Sequence, residues 1–383
     1  GQDFIDITGN AIAINSEAGH FVDAGDDDDI VLISGNATAT TNLLLDNALA
    51  GHTVNGGKGN DLIIIEGEAF AEASDGTAIA GHSVLGGDGN DVILITETAN
   101  ATAIGTAPGT GSGLSVLGGD GDDDFLIGGD GDDTLTGGEG DDTMFGDEGA
   151  DLFIVDAGID FIGDLGNSTS PDDDRFQVSV NAIANIAVVG DFVAQGGING
   201  TWNKGTANLE IASPLGLLVD LSAANTIPIP PPTNGFTVVG NVGDDTIIGS
   251  LDDDTLSGGI GEDDIDGGFG DDIIDGGADS DDLAGDLRFF GLAFTEIDFA
   301  FAGGNDTIDG GTGSDDIGGD LFVEADTISF AFSALTGGDD SIDGGEGSDE
   351  IGGDVYIEVD DKGGFTFADS TLIGGDDTID GGT

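Results

Sequence analysis

The sequence predicts an all-β protein wound as a solenoid of stacked parallel coils, and three observations predict it. A nine-residue pattern of glycine, Asp and large apolar residues recurs along most of the chain. Its acids fall 18 residues apart in some regions and about 30–37 apart in others, which is the signature of short and long coils built on one plan. Finally, 78 Asp and Glu face only 5 Lys and Arg, for a formal net charge of -73, yet 38% of the residues are hydrophobic. A chain that charged is normally disordered. One that is also this apolar folds only if something other than its own side chains neutralises the acids.

The charge balance excludes a nucleic-acid binder, which needs basic patches for phosphate, and argues against docking on an anionic membrane. Cysteine is absent, so there is no disulfide framework and no thiolate metal site. The apolar runs fall well short of the roughly 18 residues of a membrane helix, so no transmembrane segment is expected.

The pattern reads G-G-x-G-x-D-x-U-x, with U a large apolar residue, as in Gly56-Gly57-Lys58-Gly59-Asn60-Asp61-Leu62-Ile63-Ile64. It recurs intact from Gly86, Gly118, Gly128, Gly137, Gly258, Gly267, Gly310 and Gly344. Degenerate copies begin at Gly146, Gly240, Gly249 and Gly276, and shortened copies at Gly303, Gly337 and Gly374. On these motifs the chain resembles the RTX (haemolysin-type) calcium-binding repeat family. The resemblance implies a parallel β-roll, in which the first six residues of each repeat turn around a Ca2+ ion and the last three form a short strand.

The residue types suit that ion. Glycines at positions one, two and four let backbone carbonyls converge. The Asp at position six adds a hard charged oxygen, and calcium takes six to eight such oxygens in tolerant geometry. Two stacked turns supply that number where one does not. The expected metal ligands are Asp61, Asp91, Asp123, Asp133, Asp142, Asp151, Asp245, Asp254, Asp263, Asp272, Asp281, Asp306, Asp315, Asp340, Asp349 and Asp377. The turn glycines beside them are Gly56, Gly57, Gly59, Gly86, Gly87, Gly89, Gly118, Gly119, Gly121, Gly128, Gly129, Gly131, Gly137, Gly138 and Gly140 in the first half. In the second half they are Gly258, Gly259, Gly261, Gly267, Gly268, Gly270, Gly310, Gly311, Gly313, Gly344, Gly345 and Gly347. Pairs such as Asp245 and Asp263, Asp254 and Asp272, and Asp133 and Asp151 stand 18 residues apart, as expected for turns on one side of the roll; Asp61, Asp91 and Asp123 are expected in one column. Without metal, facing carboxylates repel, so folding is expected to be coupled to several Ca2+ ions.

Three regions are expected: a calcium roll over 1–155, a calcium-poor β insert or cap over 156–239, and a second calcium roll over 240–383. In the first, His20, His52 and His82 recur with the long coils and are expected to form a structural column. In the insert, Asp160–Asp164 followed by Asp174-Arg175-Phe176 is similar to the segment that often closes an RTX block. In the last region Phe289, Phe290, Phe322, Phe330, Phe332, Tyr356, Phe365 and Phe367 lie on excursions between calcium turns, where they are expected to stack between coils or to face outward as an assembly surface.

No H-E-x-x-H or G-x-S-x-G motif occurs, and no enzyme is expected. The expected function is an extracellular, calcium-dependent structural protein: a surface fibre, filament or S-layer subunit, with self-association as its main contact. Cell-surface polysaccharide bridged through calcium is a further expected partner. Gly1 and Thr383 both fall inside repeat units, so the ends are expected to continue into a longer chain or to meet neighbouring subunits head to tail. The alternatives are a calcium-triggered secretion and folding module of an RTX toxin or exoenzyme, and an RTX adhesin stalk.

Overall fold

A computed structural model describes the chain apart from residues 1, 15–16, 35, 42–47, 51, 59, 67–68, 74–77, 81, 89–90, 96–100, 105–110, 113–114, 120–123, 129–131, 148, 167–173, 196–200, 226–232, 292–293, 298–299, 326–327, 331–333, 354, 360–364, 368–371, 374–376 and 382–383. The regular structure is all β, in long ladders of parallel strands. No helix among the described residues is long and apolar enough to cross a membrane. The chain divides into two compact units, one of Gly1–Val188 with Lys204–Thr206, the other of Val189–Asn203 with Ala207–Thr383. The division falls within 156–239. Within that segment, strands Ile159–Leu165 and Arg175–Val178 extend the parallel ladders of the repeats before it.

In the first unit, Phe4–Ile7, Ile30–Ile33, Leu62–Ile65, Val92–Ile95, Phe125–Ile127, Thr143–Phe145, Ile159–Leu165 and Ile183–Val188 pair one after another in parallel. A second ladder runs through Phe21–Asp26, Thr53–Lys58, Ser83–Asp88, Ser115–Gly119, Thr134–Gly138, Leu152–Val155 and Arg175–Val178. Alternate residues turn inward, the period-two rule of a strand. Val31, Ile63, Ile93, Leu126, Met144 and Ile162 are buried from the first ladder, and Val54, Val84, Leu135, Phe153 and Phe176 from the second. The apolar residue of each repeat therefore stacks on its equivalents. The long coils add two small sheets, such as Ala11–Ile14, Ala37–Thr41, Ala69–Ala73 and Ala101–Ile104.

The second unit repeats the plan. One ladder takes Phe236–Val239, Thr255–Ile260, Ile273–Ala278, Thr307–Asp309, Ser341–Asp343 and Thr378–Asp380. The other takes Leu218–Asp220, Thr246–Ile248, Asp264–Asp266, Asp282–Ala284, Asp316–Gly318 and Glu350–Gly352. Each long coil carries an excursion of three short strands, such as Leu287–Gly291, Phe294–Ile297 and Ala300–Ala302. Of the aromatic residues singled out there, Phe322 is buried. The side chains of Phe289, Phe290, Phe330, Tyr356, Phe365 and Phe367, and all of Phe332, lie outside the described residues.

Candidate metal centres

Most ladder strands begin beside an Asp at a coil corner, and among the described residues these acids form four columns. In the first unit the backbone N–H of Asp29 donates to Oδ1 of Asp61 (2.7 Å), that of Asp61 to Asp91 (2.8 Å), that of Asp91 to Asp124 (2.6 Å), that of Asp124 to Asp142 (2.8 Å) and that of Asp142 to Asp160 (3.1 Å). A second column links Asp133 to Asp151 (2.8 Å) and Asp151 to Asp174 (2.7 Å). The second unit has one column through Asp245, Asp263, Asp281, Asp315 and Asp349, and another through Asp254, Asp272, Asp306, Asp340 and Asp377, with links of 2.7–3.2 Å. Position-five residues bond in the opposite sense. The N–H of Asp271 donates back to Asp253 (3.0 Å), that of Asn305 to Asp271 (2.8 Å) and that of Asp339 to Asn305 (2.8 Å). Corner N–H groups that a parallel ladder leaves over thus find acceptors in side chains.

Oδ1 makes these links; Oδ2 accepts a backbone N–H at Asp254, from Ser250, and at Asp174, from Gly166, but at many other corners it is left over. Oδ2 of Asp29, Asp61, Asp91, Asp151, Asp160, Asp245, Asp263, Asp272, Asp281, Asp306, Asp315 and Asp349 is buried with no hydrogen-bond partner. An unsatisfied carboxylate oxygen in a protein interior is costly. Burial accordingly pushes Asp151 and Asp272 up to about 9 and Asp160, Asp281 and Asp306 up to about 8, with neighbouring column carboxylates adding to the rise.

The orphaned oxygens point at the position-one glycines. A Cβ on Gly276 would lie 2.6 Å from Oδ2 of Asp281 and 2.9 Å from the carbonyl oxygen of Gly310, one coil on. On Gly310 it would meet Oδ2 of Asp315 at 2.8 Å and the Gly344 carbonyl at 2.9 Å. Gly258 and Gly267 show the same pair of neighbours. A side-chain-free space, faced by a carboxylate oxygen and a carbonyl from the next coil, therefore repeats along each column. Position-two glycines hold the turn open with φ from +80° at Gly345 to +113° at Gly138, a region other residues rarely adopt.

Asp123, Gly59, Gly89, Gly121, Gly129 and Gly131 lie outside the described residues. The column place expected for Asp123 belongs to Asp124, and the buried apolar place to Leu126 and not to Phe125, which is 38% exposed. The repeat from Gly118 carries its extra residue before the Asp, and the step to Asp142 becomes a regular 18. Asp29, Asp160 and Asp174 also belong to the columns, although no intact glycine motif precedes them. Asp29 and Asp174 stand directly before a strand, as in Asp29-Ile30-Val31-Leu32-Ile33, and Asp160 is the second residue of Ile159–Leu165.

Among the described residues no three His, Cys, Asp or Glu side chains converge on one metal position. A cation here would take one or two carboxylates per site and fill its shell with backbone carbonyls, a donor set for a hard ion such as calcium. The family model for the RTX calcium-binding nonapeptide repeat (4 copies) matches residues 118–153, 237–265, 257–287, 302–322 and 336–355. The chain carries RTX calcium-binding nonapeptide repeats. A stretch of 86 residues, 22% of the chain, is 52% identical to an S-layer protein of Synechocystis sp., and the match spans 5% of that protein's length. All-oxygen donors, orphaned carboxylate oxygens and side-chain-free cradles fit the calcium that such repeats bind.

Proposed function

We propose that the chain is an extracellular structural segment, a part of a surface fibre, filament or S-layer, whose coils fold and stiffen on binding Ca2+ between successive turns. The observation that carries this reading is the set of buried Oδ2 atoms aimed at glycine cradles along four columns. Bound calcium supplies the positive charge that the chain's own 5 Lys and Arg cannot provide for 78 acids. Oδ2 of each column Asp, with the carbonyl of the position-one glycine on the next coil, would hold it. Ion-binding energy is then folding energy. Extracellular calcium modules have dissociation constants on the order of 10⁻⁴–10⁻³ M, which fill outside cells and not in the cytosol.

The match to an S-layer protein supports self-assembly as the role, and no catalytic chemistry is assigned to the acids, since those described in the columns are spent on corner N–H groups and cradles. Electron microscopy of the purified chain, with and without millimolar calcium, tests the assembly. Ordered fibres or sheets that appear with calcium and disperse in chelator are expected; dispersed particles under both conditions would contradict it.

A further inference from the structure

The sequence makes Gly303-Gly304-Asn305-Asp306 look like a shortened repeat, but the registers of the second unit show a complete turn that has been opened. Position-one glycines follow one another through Gly267, Gly285, Gly319 and Gly353. The N–H of Gly267 donates to the Ala284 carbonyl, that of Gly285 to Gly318 and that of Gly319 to Gly352, each at 3.0 Å. Position four runs through Gly270, Gly304 and Gly338, each lying against the carbonyl of the one before. Positions five and six run through Asp271, Asn305 and Asp339, and through Asp272, Asp306 and Asp340. Gly268 and Phe269 of the intact turn therefore correspond to 286–303 in the next coil and to 320–337 in the one after. The three-strand excursion enters inside the turn, and both halves survive.

Where the intact turn has Gly268 at position two, the opened turns have Asp286 and Asp320, both fully buried. The Asp286 carboxylate accepts the Gly304 N–H with both oxygens (3.2 and 3.0 Å), and Oδ1 of Asp320 accepts the Gly338 N–H (3.0 Å). Each acid thus bridges the two halves of its turn. Their carboxylates also meet: a Cβ on Gly303 would strike Oδ1 of Asp320 and lie 2.7 Å from Oδ2 of Asp286. Oδ2 of Asp306, buried and without a hydrogen-bond partner, sits beside Gly285 with the Gly319 carbonyl. After burial, its charge is the largest influence raising the Asp286 carboxyl.

We propose that the opened turns form a second class of calcium site, in which Asp286 and Asp320 are ligands beside the position-six acids Asp306 and Asp340. The proposal rests on the calcium reading above and adds to it a carboxylate from position two that the intact turns lack. More ligand charge raises calcium affinity, so the opened turns fill first, and the excursions are fixed at their roots before the rest of the coil closes.

Native mass spectrometry and calorimetric titration of the whole chain against calcium test this, with Asp286→Asn/Asp320→Asn as the variant. Asn keeps an oxygen for the Gly304 and Gly338 N–H groups and removes only the charge. The unaltered chain should fill in two phases, and the variant should lose the tighter one, its ions binding about tenfold or more weakly. A variant with the same ion count and the same two phases overturns the proposal, while an unaltered chain that binds no calcium overturns the broader reading as well. Should the variant fail to fold, europium(III) excitation spectra of the unaltered chain decide, because the line position reports ligand charge. Two lines are expected, and a single line overturns the proposal.

Discussion

Both units lengthen their coils with a β excursion, but they do it differently. In the first unit the excursion replaces the turn opposite the Asp29–Asp61–Asp91 column. The registers Ser83–Ser115 and Ser115–Thr134 place His82 where Asp133 stands in the short coils, each just before its strand. The histidines do the same backbone work as the acids: the N–H of His20 donates to Nδ1 of His52 (3.1 Å) and that of His52 to Nδ1 of His82 (3.0 Å). The rings stack at 5.1 and 4.9 Å. In the second unit the excursion opens the turn and keeps its acids. A corner N–H needs only one acceptor, and a neutral imidazole supplies it. A carboxylate supplies it too, but leaves a second oxygen buried that calls for a cation. The position-six side chain therefore decides whether a corner depends on metal.

The largest effect that would break this comparison is chelation. In excess EDTA, hydrogen exchange should show protection lost first and most completely over 133–174 and 245–349, where two acid columns run. The corners at His20, His52 and His82 should hold longer. Uniform loss would mean that imidazole and carboxylate corners are equivalent. Acid should then partly restore the metal-free fold. Burial raises the folded values of buried column carboxyls such as Asp263, to about 6, and Asp272, to about 9. In chelator their contribution is complete below the unfolded carboxylate value near 4 and is lost as pH rises through 6 to 9. Circular dichroism against pH in EDTA should show β content falling over that window, and β content rising with pH would contradict it.

Smaller effects sharpen the contrast. Gly267→Ala places a methyl against the Gly285 carbonyl and Oδ2 of Asp272, and should cost about 1–3 kcal/mol as well as weakening calcium binding. His52→Ala should cost about 1–2 kcal/mol by denaturant titration, by the same amount at low and high calcium, since it removes the Nδ1 acceptor of the His20 N–H and a ring stacked on both neighbours without touching a cradle. Gly9→Ala, with nothing within 4 Å of the added carbon, should change stability by less than about 0.5 kcal/mol.

Much of this was legible because a period of nine residues states both the turn and the buried apolar residue. Ile63, Ile93 and Leu256 are buried where the motif puts them. Legibility failed where the glycines and the Asp came apart. At Gly118 the pattern can be matched with Asp123, but packing chooses Asp124, because Leu126 and not Phe125 must face the interior. Asp286 and Asp320 were hidden for another reason: 18 residues separate them from the second half of their turn, and only the registers of neighbouring coils reunite the halves. The strands of 156–178 lack the glycine pattern but keep the apolar alternation, and the alternation is what the ladders read.

Anomalous diffraction from crystals grown in millimolar calcium would go straight to the columns. An ion is expected at each cradle, for example about 2.3–2.6 Å from Oδ2 of Asp281 and from the Gly310 carbonyl. Folded coils whose cradles hold only water, with the column carboxyls protonated, would contradict it.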